Sequence, residues 1–217
     1  MLHQNESLIG DCEFLAMLAH DMKTPVKAQI MALKLLYSGA FGKLSKEACN
    51  LILNLLASNR YLQLLLENVL GNYRINKNDF ILNKTKSDIR KTIEESIGNI
   101  QVLFEAKEQK IEVNYLADDF IKFYDEIEIQ RVIINLLSNA FEYSEENSTI
   151  NIEVNNIGKN LCIEIKSSAK INNKKRLEQK TSTGLGLKIC RKIIEAHCGK
   201  IRQENRNGKF SVIFQLP

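Results

Sequence analysis

Apolar side chains recur every three or four residues over residues 8–70, and this period limits what the chain can fold into. It is the period of an amphipathic α-helix. The stripe is interrupted at residues 38–42, and Ser45 followed by Glu47 is typical of a new helix start. We therefore predict two long helices that form a hairpin, the second ending at Gly71. The first stripe consists of Leu8, Cys12, Leu15, Ala19, Met22, Val26, Ile30, Leu33 and Tyr37.

Two helices of this length cannot cover both of their apolar stripes with each other. A hairpin of this kind usually pairs with a second copy to form a four-helix bundle. The sequence therefore predicts a homodimer formed through residues 8–70.

The pattern changes after a polar linker at Asn72–Asp79. Short runs of strand character alternate with helical stretches, and several strands alternate apolar and polar residues, which favours an α+β sandwich with one wet sheet face. We predict domains at residues 1–72 and 79–217. The predicted strands are Phe80–Leu82, Lys110–Tyr115, Thr149–Val154, Leu161–Lys166, Lys200–Glu204 and Phe210–Leu216, and the predicted helices are Ser87–Glu108 (with Ser87 as its N-cap), Glu126–Tyr143 and Leu185–His197.

Composition excludes several classes of function. The 30 basic and 26 acidic residues are interspersed, so no cationic face for nucleic acid is expected. The 5 cysteines form no C-x-x-C pair, which argues against a zinc site or a secreted disulfide framework. The scattered cysteines also favour a reducing cytoplasm. Because no run of about 18 apolar residues is present, we expect no membrane span.

The first helix carries a proline in its interior. Pro25 removes one N–H and leaves the carbonyl of Asp21 without its usual partner, at about 3 kcal/mol. Just before it, His20 projects away from the apolar stripe, with Asp21 and Thr24 close by. An exposed imidazole beside a carboxylate is a competent nucleophile, although an ordinary surface histidine remains an alternative.

Two further motifs indicate polar sites in the second domain. Asn135 and Asn139 lie one turn apart on a predicted helix, where amide oxygens can hold Mg²⁺, or where they simply form a solvated stripe. Gly184 and Gly186 open the last predicted helix, where free N–H groups attract phosphate. A helix cap without a ligand is the alternative there.

Together these motifs resemble the two-component sensor histidine kinases over nearly the whole chain. The segment FLAMLAHDMKTP resembles their phosphoacceptor H-box, RVIINLLSNAFEYS resembles the N-box of their Bergerat-type ATPase domain, and TGLGLKICRKIIEAHCGKI resembles their G2 box. The resemblance implies a helical hairpin followed by an ATP-binding α/β sandwich. It also implies ATP-dependent phosphorylation of His20 and transfer to an aspartate on the receiver domain of a response regulator.

The resemblance also implies roles for individual residues. Asp21 would assist proton transfer at His20, and Thr24 would orient water in phosphatase action. ATP would be bound by Asn135, Asn139, Tyr143, Gly184, Leu185 and Gly186, and Mg²⁺ would be held by Asn139.

The sequence departs from the family at the G1 box. Where D-x-G-x-G is expected, residues 167–171 read Ser-Ser-Ala-Lys-Ile, and Glu142 stands where a phosphate-facing lysine is usual. The segment that would cover the nucleotide is shortened to residues 172–180. Two alternatives to an autokinase therefore stay open. One is an ATP-independent phosphotransferase or phosphatase that acts through His20, and the other is a non-catalytic module that binds a partner protein.

Overall fold

The computed structural model describes residues 2–76, 80–168, 185–206 and 209–217. The chain divides into two compact units, Met1–Phe80 and Ile81–Pro217. Among the described residues, no helix combines the length and the apolar character needed to cross a membrane.

The first unit is the predicted helical hairpin. Helix α1 spans Leu2–Tyr37 and helix α2 spans Lys46–Asn76. Ser45 caps α2, because its Oγ accepts a hydrogen bond from the Ala48 N–H at 3.2 Å. The prediction that α2 ends at Gly71 is wrong: the helix continues through this buried glycine, whose cost inside a helix is only about 1 kcal/mol. Residues 72–76 of the predicted linker Asn72–Asp79 are therefore helical.

The buried row of α1 differs from the predicted stripe at several positions. The buried residues are Ala16, Ala19, Val26 and Ile30, and Lys23 completes this row at steps of three and four. The predicted members Leu15, Met22 and Tyr37 are 51%, 39% and 44% exposed, and Ala16 and Lys23 take the places of Leu15 and Met22 in the row. The apolar stripe is wider than the contact between the two helices, so periodicity alone does not identify the row that is covered.

Many large apolar side chains of the hairpin are not covered by their own unit. The residues concerned are Phe14, Leu15, Met17, Leu18, Met22, Met31, Leu35, Leu36, Tyr37, Phe41, Leu44, Leu51, Leu55 and Leu65. So many exposed large apolar side chains on one hairpin are typical of a protein interface.

The second unit contains a mixed five-stranded sheet in the order β2-β4-β5-β7-β6, in which only the β2–β4 pair is parallel in the described part of the chain. Two short strands, β1 and β3, form a separate antiparallel pair. The elements are β1 Thr85–Asp88, α3 Ile89–Glu105, β2 Lys110–Tyr115, β3 Ile121–Tyr124, α4 Glu126–Tyr143, β4 Thr149–Ile157, β5 Asn160–Ser168, α5 Leu185–Ala196, β6 Lys200–Arg206 and β7 Lys209–Leu216.

Helices α3, α4 and α5 pack together and against the sheet. The strand residues that face them are almost fully buried, whereas the other face carries charged groups such as Glu153, Glu164 and Lys166. The predicted α/β sandwich with one wet face is confirmed.

The short strand pair is where the sequence interpretation fails. Residues 80–82 form no strand, and β1 and β3 were not predicted, because four residues are too few for a periodic signal. Helix α3 has its N-cap one residue later than predicted and ends at Glu105 rather than Glu108. Its N-cap is Asp88, which accepts from the Arg90 N–H at 3.0 Å, while the Ser87 hydroxyl contacts Thr85 at 3.0 Å instead.

Candidate functional site

His20 lies on the solvent side of α1. Its side chain is 77% exposed, and Nδ1 lies 3.3 Å from Oδ1 of Asp21, which is itself 73% exposed. Thr24, one turn further along, is also exposed. The structure therefore brings together the three residues that the sequence identified around Pro25.

This arrangement favours one tautomer of the imidazole. An Nδ1–H that faces the Asp21 carboxylate leaves the lone pair on Nε2, which points the nucleophilic nitrogen away from the carboxylate. Because both side chains are exposed, a second protein can reach Nε2 without any rearrangement of α1.

The two asparagines of α4 differ in their environments. Asn135 is 4% exposed, and its buried Nδ2 has no hydrogen-bond partner, whereas Asn139 is half-buried. On α5, Cys190 interacts with Asn135, and its Sγ donates to the Val132 carbonyl at 3.8 Å. Burial raises the pKa of Cys190 to about 12, so this residue is a thiol that supports the helix contact.

Ser167, near the end of β5, is also buried, at 3% exposure, and its Oγ has no partner in the structure. A buried polar group left unpaired costs about 1–3 kcal/mol, so such groups usually have a ligand or water. A ligand or a water molecule can satisfy buried polar atoms of this kind, here the Nδ2 of Asn135 and the Oγ of Ser167.

The remaining nucleotide-site predictions are only partly described. Tyr143 is half-buried at the end of α4. Gly186 lies in the first turn of α5, and Leu185 begins this helix, but the side chain of Leu185 is not described. Gly184 and residues 172–180 lie outside the described residues.

Charge at α4 is consistent with the departures noted in the sequence. Glu142 is half-buried on the last turn of the helix. The guanidinium of Arg131 pairs with Glu128 at 2.8 Å. The carboxylate of Glu142 thus lies at the end of α4, and its repulsion of a bound anion stays a prediction from the sequence.

Sequence reasoning did not identify His197, which is 2% exposed at the end of α5. Its Nδ1–H donates to the Ile193 carbonyl at 2.8 Å, and its Nε2 accepts from the Asp125 N–H at 2.9 Å. Asp125 in turn caps α4 through Glu128 N at 3.1 Å and accepts from Asn83 N at 2.7 Å. His197 thus fixes the start of the helix that carries both asparagines.

A cavity of about 480 Å³ lies elsewhere, along the edge of the sheet. None of the predicted site residues that the structure describes contributes to it. Its walls are formed by Glu195, Gly199, Lys200, Ile201, Arg202, Ile213 and Gln215.

Two family models match the chain. Residues 12–78 match the His Kinase A (phospho-acceptor) domain, and residues 124–217 match the histidine kinase-, DNA gyrase B- and HSP90-like ATPase. The first match contains His20, and the second contains both asparagines.

Curated relatives align over nearly the full chain. The adaptive-response sensory kinase SasA of Trichormus variabilis is 27% identical over 99% of this chain. The sensor protein KdpD of Clostridium acetobutylicum is 27% identical over 92% of it. The chain spans 60% of the length of that SasA and 23% of the length of that KdpD.

Solved structures support the same architecture. The histidine kinase ThkA, in complex with the response regulator protein TrrA, is 26% identical at a TM-score of 0.57 and covers 99% of this chain and 63% of its own. The catalytic domain of ThkA is 28% identical at a TM-score of 0.52 and covers 62% of this chain and 95% of its own. Acinetobacter baumannii AdeS, at 21% identity and a TM-score of 0.61, shares the fold over 91% of this chain and 96% of its own.

Proposed function

Since this chain belongs to the family of two-component sensor histidine kinases, we propose that it transfers the γ-phosphoryl group of ATP to His20 and from there to an aspartate of a response regulator. The observation that carries this proposal is the exposed His20 with Asp21 at its Nδ1, inside the segment that matches a phosphoacceptor domain.

The chemistry follows from the tautomer that Asp21 favours. The Nε2 lone pair of His20 forms a bond to the γ-phosphorus while the bond from that phosphorus to the bridging oxygen breaks and ADP leaves. Asp21 stabilises the positive charge that develops on the imidazole through its contact with Nδ1–H.

The second step returns the imidazole to its starting state. A carboxylate oxygen of the response regulator attacks the phosphorus, and the N–P bond breaks. We assign Thr24 to a phosphatase activity that opposes this transfer. Its hydroxyl would orient the water that hydrolyses the phosphorylated aspartate.

We assign nucleotide binding to the second unit. Asn135 and Asn139 on α4, Tyr143 at its end, and Leu185 and Gly186 at the start of α5 would contact ATP, as would Gly184, which precedes them in the sequence. Asn139 would hold Mg²⁺ through its amide oxygen. The match of residues 124–217 to the ATPase family model supports this assignment. Bound Mg²⁺ would neutralise part of the negative charge of the phosphates. The carboxylate of Glu142 would repel the same phosphates.

We further propose a homodimer through residues 8–70 and a response regulator receiver domain as partner. The exposed apolar side chains of the hairpin support the dimer, and ThkA, solved with its response regulator, supports the partner. We place residues 1–72 in the dimerisation and phosphotransfer domain and residues 79–217 in the ATP-binding domain. A cytoplasmic location agrees with the free thiols of Cys49, Cys162, Cys190 and Cys198.

The decisive experiment is labelling with Mg²⁺ and ATP that carries radioactive γ-phosphate. In the wild type we expect label that is lost in acid and kept in alkali, which is the behaviour of phosphohistidine. His20→Gln should carry none, whereas His3→Gln, the matched control on the same helix, should label normally.

Two outcomes would contradict the proposal. Acid-labile label that survives in His20→Gln would place the phosphoacceptor elsewhere. Absence of label from ATP, together with transfer to His20 from a phosphorylated receiver domain, would favour the ATP-independent phosphotransferase.

A further inference from the structure

The contact between α1 and α2 includes a polar cluster in a row of buried apolar residues. On α1, Lys23 occupies the position between Ala19 and Val26 in the buried row. Its Nζ lies 3.1 Å from Oε1 of Glu67 on α2, and the two side chains are only 29% and 30% exposed. Charged residues at such positions normally weaken a helix pair but select one register.

The cluster continues along α2. Gln63 donates from Nε2 to the same Glu67 carboxylate at 3.1 Å, and Arg60 donates from Nη1 to Oε1 of Gln63 at 2.9 Å. Arg60 and Gln63 follow the buried Ile52 and Leu56 at three- and four-residue steps. We call Lys23, Glu67, Gln63 and Arg60 the polar ladder.

Glu67 is the only anion of the polar ladder, between the cations Lys23 and Arg60. Burial lowers the pKa of Arg60, and the nearby Glu67 carboxylate opposes that shift. The Nε of Arg60 is buried and has no hydrogen-bond partner. Loss of the Glu67 charge would therefore leave two partly desolvated cations next to the contact between the helices.

The polar ladder contacts α1 in the turn where proline removes a backbone hydrogen bond. Lys23 lies one turn after His20 and two residues before Pro25. Because Pro25 cannot donate to the Asp21 carbonyl, the turn of residues 20–24 lacks one of its helical hydrogen bonds. Contacts from α2 must therefore define how this turn is rotated and which direction His20 faces.

We propose that Lys23 and Glu67 are positioning residues for phosphoryl transfer: their ion pair fixes the register and rotation of the α1 turn that presents His20. This inference rests on the proposed kinase function. Both residues belong to the hairpin, and neither is among the residues that we assign to nucleotide binding. Their loss therefore lowers the rate of transfer and leaves nucleotide affinity unchanged.

The test compares single-turnover labelling of His20 from ATP in purified full-chain variants. We expect Glu67→Gln and Lys23→Met each to lower the rate at saturating ATP about tenfold with KM for ATP unchanged, because misplacement of reacting groups by a fraction of an ångström costs this much. The double variant should be no slower than either single variant. Lys23→Arg, which keeps the cation, should retain most of the rate.

Tyr73→Phe is the matched control, because it removes another polar contact between the same helices, that of the Tyr73 hydroxyl with Glu13 at 2.9 Å. It should label at the wild-type rate. Amide hydrogen exchange should show faster exchange at residues 20–24 in Glu67→Gln and no change there in Tyr73→Phe.

The outcomes separate the two proposals. If the wild type labels and Glu67→Gln labels equally fast, or if KM rises while the maximal rate stays constant, the positioning role is wrong and the kinase function stands. If the wild type takes no label from ATP, the kinase function fails and the positioning role fails with it.

Discussion

The hairpin and the second unit differ in how completely each covers its own apolar side chains. In the hairpin the best-buried large residues, such as Leu56, are 3% exposed, and Leu51 on the same helix is 61% exposed. In the second unit Ile133, Leu137 and Ile152 are fully buried. A sheet covered by three helices forms a closed core, whereas two helices alone leave apolar surface exposed.

The hairpin, whose apolar side chains are less completely covered, retains more of the residues that the family resemblance implies than the second unit does. The hairpin carries His20, Asp21, Thr24 and Pro25 together, whereas the well-packed second unit has Ser167 and Glu142 where the resemblance implies a carboxylate and a lysine. Completeness of a core therefore says nothing about completeness of a site. A fold depends on many apolar contacts, while a site depends on a few polar atoms.

The largest effect is expected in the closed core of the second unit. Leu137→Ala removes a fully buried side chain of α4 and should lower the free energy of unfolding by about 3 kcal/mol. Ile127→Ala, on the same helix but 72% exposed, should change it by less than about 0.5 kcal/mol. Chemical denaturation checks both values, and equal effects would contradict the contrast between core and surface.

The next effect sharpens the contrast at the hairpin. Leu55→Glu places a charge on exposed apolar surface of α2 and should weaken the proposed homodimer about a hundredfold, because the charge would be desolvated at the interface. Sedimentation velocity over a concentration series measures the change. Phe123→Glu, at a 65% exposed position in the second unit, should leave the dimer intact. Equal dissociation in both variants would remove the hairpin as the interface.

A third prediction concerns the chemistry that the second unit has lost. Ser167→Asp supplies a charged acceptor at a buried position and should raise the affinity for Mg²⁺-ATP about tenfold, equivalent to 1–2 kcal/mol. Titration calorimetry measures the affinity. Ser148→Asp changes the net charge equally and should have no such effect, and Asn139→Ala should lower the affinity. A weaker affinity in Ser167→Asp would show that the pocket has adapted to the hydroxyl.

The smallest effect is a dependence of stability on pH. Burial lowers the pKa of His197 below its ordinary value of 6.5. The unfolded chain therefore binds the proton more readily, so stability is complete above about pH 6.5 and falls as the pH decreases below that value. In the neutral imidazole, Nε2 accepts a hydrogen bond from the Asp125 N–H. Protonation would add a hydrogen to Nε2, so that two N–H groups would face each other.

Denaturation of the wild type and His197→Gln between pH 5 and pH 8 tests this dependence. The difference in free energy of unfolding between the two proteins should shrink toward acid pH. A difference that stays constant over this range would show that His197 does not titrate on unfolding.

Periodicity in the sequence predicted those elements whose pattern is long. Helix α4 was predicted with the bounds that the structure shows, as was β2. The two-residue-period runs of β4, β5, β6 and β7 were also identified, with shorter bounds than observed. The short strands β1 and β3 were missed, since four residues form a strand only through pairing with a partner that is distant in the chain.

The candidate site shows the same division. The local segment around His20 was sufficient to predict an exposed imidazole with Asp21 beside it, because one helix places all its members. The role of His197 at the Asp125 backbone was not predictable, because residues 125 and 197 meet only through the packing of α4 and α5.

Lys23 shows the difference between what the sequence determines and what the tertiary structure determines. The sequence by itself determined that residues 8–70 form amphipathic helices, since that depends on the 3.6-residue period alone. It identified His20 by the same reasoning. Only the tertiary structure decided that the covered row runs through Lys23 and that its partner is Glu67. The physical reason is that a helix has several rows of similar polarity, and the choice among them is made by the surface it packs against.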